Sequence, residues 1–190
     1  LIIRPTQIGI EFANLLGHAL HADRGLEPND HPAVEEIPVT RAPLGSKAQR
    51  DVLRFVASHQ RADGKMMHEL TLSAKLCRWL EDYPYAYYKG ANSADFVAAL
   101  DLYLRYSGDL EFARELMPAA RRAMEWCARA LDAEGRLSNA LAGIAAIEAG
   151  PLAEVIESEV FLQGAWIAAL GAAQRLSTAL GEDPAGYRAL

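Results

Sequence analysis

From Ala48 onward the apolar residues of this chain recur at helical spacing. Val52, Phe55, Val56 and His59 share one face of a predicted helix that Asp63-Gly64 stops. Residues 65–91 are mixed, with a helix predicted over Thr71–Leu80 and ended by Tyr83-Pro84-Tyr85. Phe96, Val97, Leu100, Tyr103 and Leu104 form the stripe of the next helix, with Asn92 or Ser93 as its cap and Ser107-Gly108 as its stop. Asp109 caps a further helix whose buried face is Ala113, Leu116, Met117, Ala120, Met124, Cys127 and Leu131. Pro118 within it is expected to bend or split it. A last helix, from about Ser158, carries Leu162, Trp166, Ala169, Leu170, Ala173 and Leu176. No segment after residue 48 alternates like a strand. Residues 1–47 read as an irregular segment. Leu1 to Gly17 suits a strand or a short helix, and Pro28, Pro32, Pro38 and Pro43 make 25–46 a loop.

Two phrases in this pattern recur. Ala62-Asp63-Gly64-Lys65-Met66 is echoed by Ala133-Glu134-Gly135-Arg136-Leu137, and the offset between their glycines is 135 − 64 = 71. The turns Ser107-Gly108-Asp109 and Leu180-Gly181-Glu182 stand at an offset of 181 − 108 = 73. Two landmarks with nearly one period define a repeated unit of helix, long loop, helix and short turn. The unit is about twice the length of a roughly 34-residue helical repeat, and its extra length lies in loops at one end. The expected fold is therefore all-α, with 48–190 as α-hairpin repeats that alternate inner and outer helices, two to three hairpins in all. Long loops that are not of low complexity tend to carry function.

Composition narrows the function classes. The chain has 190 residues and a net charge of −6, which argues against a nucleic-acid or anionic-membrane surface. Cys77 and Cys127 are the only cysteines, and both lie in predicted helices, so reduced thiols and a cytoplasmic location are expected. No apolar run is long enough to span a membrane and no signal peptide is visible. The chain begins at Leu1 and ends within a helical phrase at Leu190, which suggests a fragment.

The loops hold the candidate chemistry. Between Trp79 and Tyr88 the chain places one tryptophan and four tyrosines, including Tyr85, Tyr87 and Tyr88. Flat aromatic faces stack on sugar rings, and phenol hydroxyls bond to sugar hydroxyls. The alternative for any one ring is simple closure of the loop. His68-Glu69 lacks the second histidine of a zinc helix, so both suit hydrogen bonding to a polar ligand, and no metal or cofactor is expected. In the second loop Glu148 stands alone in an apolar phrase between Gly143 and Gly150. Such surroundings raise a carboxyl pKa, as a general acid requires. Glu154 and Glu157 are rivals, although Glu157 and Glu159 also suit the start of a helix, where acids favour the dipole.

Together these phrases resemble the bacterial glycogen-debranching-like amylo-α-1,6-glucosidases. These belong to a wider group of (α/α)6 glycosidases that includes glucoamylases, trehalases and cellobiose phosphorylases. The carrying residues are Arg61 to Glu69, Tyr83 to Tyr88, Tyr106 to Asp109, Ile147 to Gly150 and Glu159 to Gln163, and the likeness covers roughly 48–182. The resemblance implies a six-hairpin toroid that hydrolyses α-glucosidic bonds of oligosaccharides or glycogen-like glucans, usually by inversion with two carboxyl groups. It puts the general acid in the loop 138–157, hence Glu148, and the general base in a later part of the toroid. Relatives carry an Asp and two threonines after the tyrosines to hold the terminal sugar. Here Ala91 stands at the Asp, followed by Asn92 and Ser93, with Asp95 one turn later. The aromatic-x-Gly-Arg-Asp phrase of relatives is also missing, and 25–46 stands in its place. A phosphorylase or epimerase on the same scaffold, or a non-catalytic sugar-binding helical protein, are the other readings.

Overall fold

The computed structural model describes residues 45–68, 78–82, 84–143 and 159–187. The expectations for the N-terminal segment and for most of Thr71–Leu80 lie outside these residues. The described elements are helical: α1 (Lys47–Ser58), α2 (Trp79–Asp82), a 3-10 turn (Pro84–Tyr87), α3 (Ala91–Ser107), α4 (Leu110–Arg129), α5 (Asn139–Ala142), α6 (Val160–Leu180) and a 3-10 turn (Ala185–Tyr187). Among the described residues the only β-type pairing is an isolated bridge between Leu131 and Leu137.

The four long helices divide into two kinds. α1 and α4 are amphipathic: α4 buries Phe112, Ala113, Leu116, Met117, Ala120, Met124 and Cys127 and exposes charge on its other side. α3 is buried nearly all round over its first three turns, including the polar Ser93, Asp95 and Asp101. α6 follows it with a core of Leu162, Trp166, Ala169, Ala173 and Leu176. A helix that is apolar on most sides belongs between others, and one with a single stripe belongs outside.

Cross-links give the directions. α1 runs alongside α4 in the same sense, since Arg50 bonds Asp109 at 3.1 Å, Arg54 bonds Glu115 at 2.6 Å and Gln60 bonds the Ala119 carbonyl at 3.0 Å. α3 and α4 form an antiparallel hairpin through Gly108, which caps α3 in the left-handed conformation. α6 runs parallel to α3. Its start is tied to the second loop by Gln163, and its later part meets α3 where Arg175 bonds the buried Asp101 at 2.7 Å. Arg105 lies 3.2 Å from the same carboxylate.

The sequence period is therefore a period in space. Gly108 and Gly181 both end a helix with positive φ, 69° and 76°. The acid after each glycine receives an arginine from the preceding amphipathic helix: Arg50 pairs with Asp109, and Arg121 pairs with Glu182. The offset between the arginines is 121 − 50 = 71 and that between the acids is 182 − 109 = 73, the same two values as the glycines.

Asp109 caps α4 as expected, its carboxylate accepting from the Phe112 N–H at 3.0 Å. That bond comes first among the causes that hold its carboxyl below the usual range. A lowered carboxylate pKa stabilises the fold above the unfolded value and is lost as pH falls through the folded one. Asp109→Ala should therefore lower Tm at pH 7 more than Asp109→Asn, which keeps a capping oxygen, and both variants should have a shallower acid limb in thermal melts.

Two expectations change. α3 starts at Ala91, with Gly90 as its cap residue, so neither Asn92 nor Ser93 caps it. Their side chains point sideways instead and bind the first loop. Pro118 does not split α4, which runs unbroken from Leu110 to Arg129. Pro118 and Arg114 are both exposed, so water can satisfy the Arg114 carbonyl that loses its i+4 donor.

Candidate functional site

The two recurring phrases fold into matching turns at one end of the helices. In the first, Arg61 N–H bonds the Lys65 carbonyl at 2.9 Å and Gly64 N–H bonds the Arg61 carbonyl at 2.9 Å. In the second, Asp132 N–H bonds the Arg136 carbonyl at 2.8 Å and Gly135 N–H bonds the Asp132 carbonyl at 3.1 Å. Each turn has its own arginine–carboxylate pair, Arg61 with Asp63 and Arg136 with Asp132. The hydrogen bonds from Arg61 lead the causes that lower the Asp63 carboxyl to about 2.

Each turn is then fastened to the first turn of the next apolar helix, α3 or α6. Met66 N–H donates to Ser93 Oγ at 3.0 Å, and Asn92 Nδ2 donates to the Met67 carbonyl at 2.9 Å. In the second unit Gln163 does both jobs, accepting from Leu137 N–H at 3.0 Å and donating to its carbonyl at 2.8 Å.

The two loops meet. Lys65 is buried and its Nζ donates to the Ala142 carbonyl at 2.9 Å. Gly143, at φ 94°, lies so close to the first loop that a Cβ there would sit 2.4 Å from the Tyr88 carbonyl oxygen. A Cβ on Gly90 would sit 2.8 Å from the Ala142 carbonyl oxygen. Behind this junction Asn139 and Glu159 are both buried and doubly bonded. Asn139 Nδ2 donates to Glu159 Oε2 at 2.7 Å, and Glu159 N–H donates to Asn139 Oδ1 at 2.9 Å. Glu159 thus stands at the start of α6, where an acid favours the dipole.

Of the candidate residues, five have described side chains. His68 follows the first turn, its N–H bonded to the Ala86 carbonyl at 2.6 Å. Tyr87 is half-buried. Its hydroxyl donates to the His59 carbonyl at 2.7 Å and the Arg61 guanidinium lies 5.1 Å from its ring centre. Burial pushes its phenol pKa up. Tyr88 is half-buried beside Gly143. Asn92 holds the first loop with its amide nitrogen, and its Oδ1 is buried with no protein partner among the described residues. Asp95 is buried in α3 and acts on Cys127 of α4, whose thiol is pushed up to about 12, first by burial and then by that carboxylate. The side chains of Glu69, Tyr85, Glu148, Glu154 and Glu157 lie outside the described residues.

Lys65, Ser93, Asn139 and Gln163 carry the architecture of this end, although none stands out in the sequence as a site residue. A signal exists for two of them. Ser93 follows Met66 by 93 − 66 = 27, and Gln163 follows Leu137 by nearly the same offset, 163 − 137 = 26. Among the described residues no group of three His, Cys, Asp or Glu side chains could hold a metal ion, and no helix is long and apolar enough to cross a membrane. No family model matches the chain, and neither a curated protein nor a solved structure matches it.

Proposed function

We propose that this chain is part of a glycoside hydrolase that cleaves α-glucosidic bonds of oligosaccharides or glycogen-like glucans with inversion. In this reading α1 with α3 and α4 with α6 are two successive outer–inner pairs of an (α/α)6 toroid. The observation that supports it most is the junction of the two loops. The aromatic stretch ending in Tyr88 and the stretch entering the carboxylate loop at Gly143 touch at the end where α3 and α6 begin. A sugar platform and a proton donor have to be neighbours for acid-assisted cleavage. Glu148 is the proposed general acid. Glu154 and Glu157 are its rivals, and His68, Glu69, Tyr85, Tyr87, Tyr88, Asn92 and Asp95 are the proposed sugar contacts. The general base comes from outside this stretch.

The test is Glu148→Gln in the protein that carries this sequence, assayed by glucose release from short α-1,4- and α-1,6-linked glucans. Turnover should fall by about 10²–10⁴-fold with an unchanged far-UV spectrum. Near-normal turnover would overturn the assignment and pass it to Glu154 or Glu157. The anomer released first, read by NMR, distinguishes inversion from retention, and a requirement for phosphate would make the enzyme a phosphorylase. Ala91, in the place of the sugar-holding Asp of relatives, favours one second reading, a non-catalytic sugar-binding protein. Binding of glucans without any product would establish it.

A further inference from the structure

The two turns differ at one position in a way the repeat does not require. Arg136 is 54 % exposed and pairs with Asp132 and Glu134 of its own turn. Lys65, its counterpart at the glycine offset of 136 − 65 = 71, points inward and is 6 % exposed. Its Nζ sits 2.9 Å from the Ala142 carbonyl and 4.7 Å from the centre of the Trp126 ring. Among the described residues no carboxylate forms an ion pair with it. The groups that act on its charge are Arg61, which opposes its proton, and Asp63, which favours it, on its own turn, and the thiol of Cys127 on α4. Arg129 of α4 also reaches this turn, donating to the Asp63 carbonyl. Asp95 of α3 reaches this cluster through Cys127. Ala142 and Gly143, on the far side of the contact, bring no titratable group.

We propose that Lys65 is a proton-controlled latch between the two loops: the Lys65–Ala142 contact closes on the neutral amine and opens more readily when the amine carries a proton. The direction follows from burial. Burial strips hydration from an amine that enters this site, and the charged form loses far more than the neutral one. The neutral amine still has an N–H for the Ala142 carbonyl, so deprotonation keeps the bond and removes the penalty. The lysine is correspondingly lowered to about 8 from 10.5, with burial as the largest cause and Arg61 the next. The sign is fixed by linkage. An opened junction, with Lys65 in water, binds more protons between about pH 8 and 10.5, so closure strengthens as pH rises through that window. The opening equilibrium then falls about tenfold per pH unit. The latch concerns only the loop junction, and none of its measurements uses a sugar, so it stands or falls separately from the hydrolase reading.

The experiment is amide exchange of Ala142 and Gly143 in the full chain between pH 8 and 10, compared with Lys65→Met. Base catalysis raises exchange about tenfold per pH unit, and the tightening latch cancels it. In the natural chain the two amides should exchange at nearly level rates over this range, faster than core amides such as Ala123. In Lys65→Met their rates should rise about 100-fold. A 100-fold rise in both proteins, or level rates in both, would overturn the latch. Should Lys65→Met fail to fold, the side-chain carbon resonance of Lys65 in the natural chain decides: a midpoint near 8 supports the latch, and one near 10.5 refutes it.

Discussion

Gly64→Ala is expected to destabilise the protein by about 3 kcal/mol or more, and Gly135→Ala by only about 1 kcal/mol, although the two glycines occupy the same place in the repeated turn. Both have positive φ, 99° at Gly64 and 76° at Gly135, so each alanine incurs a backbone strain of order 1–2 kcal/mol. The difference lies in what stands opposite. A Cβ on Gly64 would be 2.2 Å from the Arg122 carbonyl oxygen and 3.3 Å from the Trp126 Cβ, whereas one on Gly135 meets nothing within 4 Å. The first turn is pressed flat on α4, and both partners in the clash are backbone or stem, which cannot swing away. Equilibrium urea denaturation of the two variants checks this. Equal losses would mean that the first turn can lift off α4 at little cost.

Phe112→Ala should cost about 3–5 kcal/mol, the range for emptying a buried aromatic site. Phe112 is fully buried just after the turn between α3 and α4. The Tyr103 ring meets it edge-on with centroids 5.0 Å apart and planes at 72°. The guanidinium groups of Arg50 and Arg54 lie 4.8 Å and 5.1 Å from its centre. One side chain therefore joins α1, α3 and α4. The surrounding groups are held by Asp109 and Glu115 and cannot collapse into the space. A loss below about 1 kcal/mol would show that the three helices repack around the gap.

The long helices are legible because their apolar positions keep the helical period, and nearly all the named stripe residues are buried. Phe55, His59, Leu131 and Leu170 are partly so. The ends are less legible. Asn92 and Ser93 have the composition of a cap, but composition does not say whether a short polar side chain turns back to its own helix or across to another segment. Here both reach across, to Met67 and Met66. The effect of Pro118 depends on which side of the helix it occupies, and that side faces water. The repeated glycine phrases correctly announce two like turns. They hide the difference between Lys65 and Arg136, since both read as a cation after glycine. Burial of the first depends on Ala142 and Trp126, which are distant in sequence. For the site itself, the sequence proposes aromatic and acidic loops, and the fold brings the ends of those loops together at Tyr88 and Gly143.

The parallel run of α3 and α6 also bears on how the chain acquires its shape. Within the α3–α4 hairpin, Tyr103 finds Phe112 across a separation of only 112 − 103 = 9. Asp101 and Arg175, which pair α3 with α6, are 74 residues apart. Closing a loop about eight times longer costs roughly 2 kcal/mol more in chain entropy. Order should therefore spread from the central hairpin outward, with α1 and α6 docking from opposite sides onto a nucleus already formed. Such a nucleus makes rapid collapse compatible with a fold whose widest contacts are far apart along the chain.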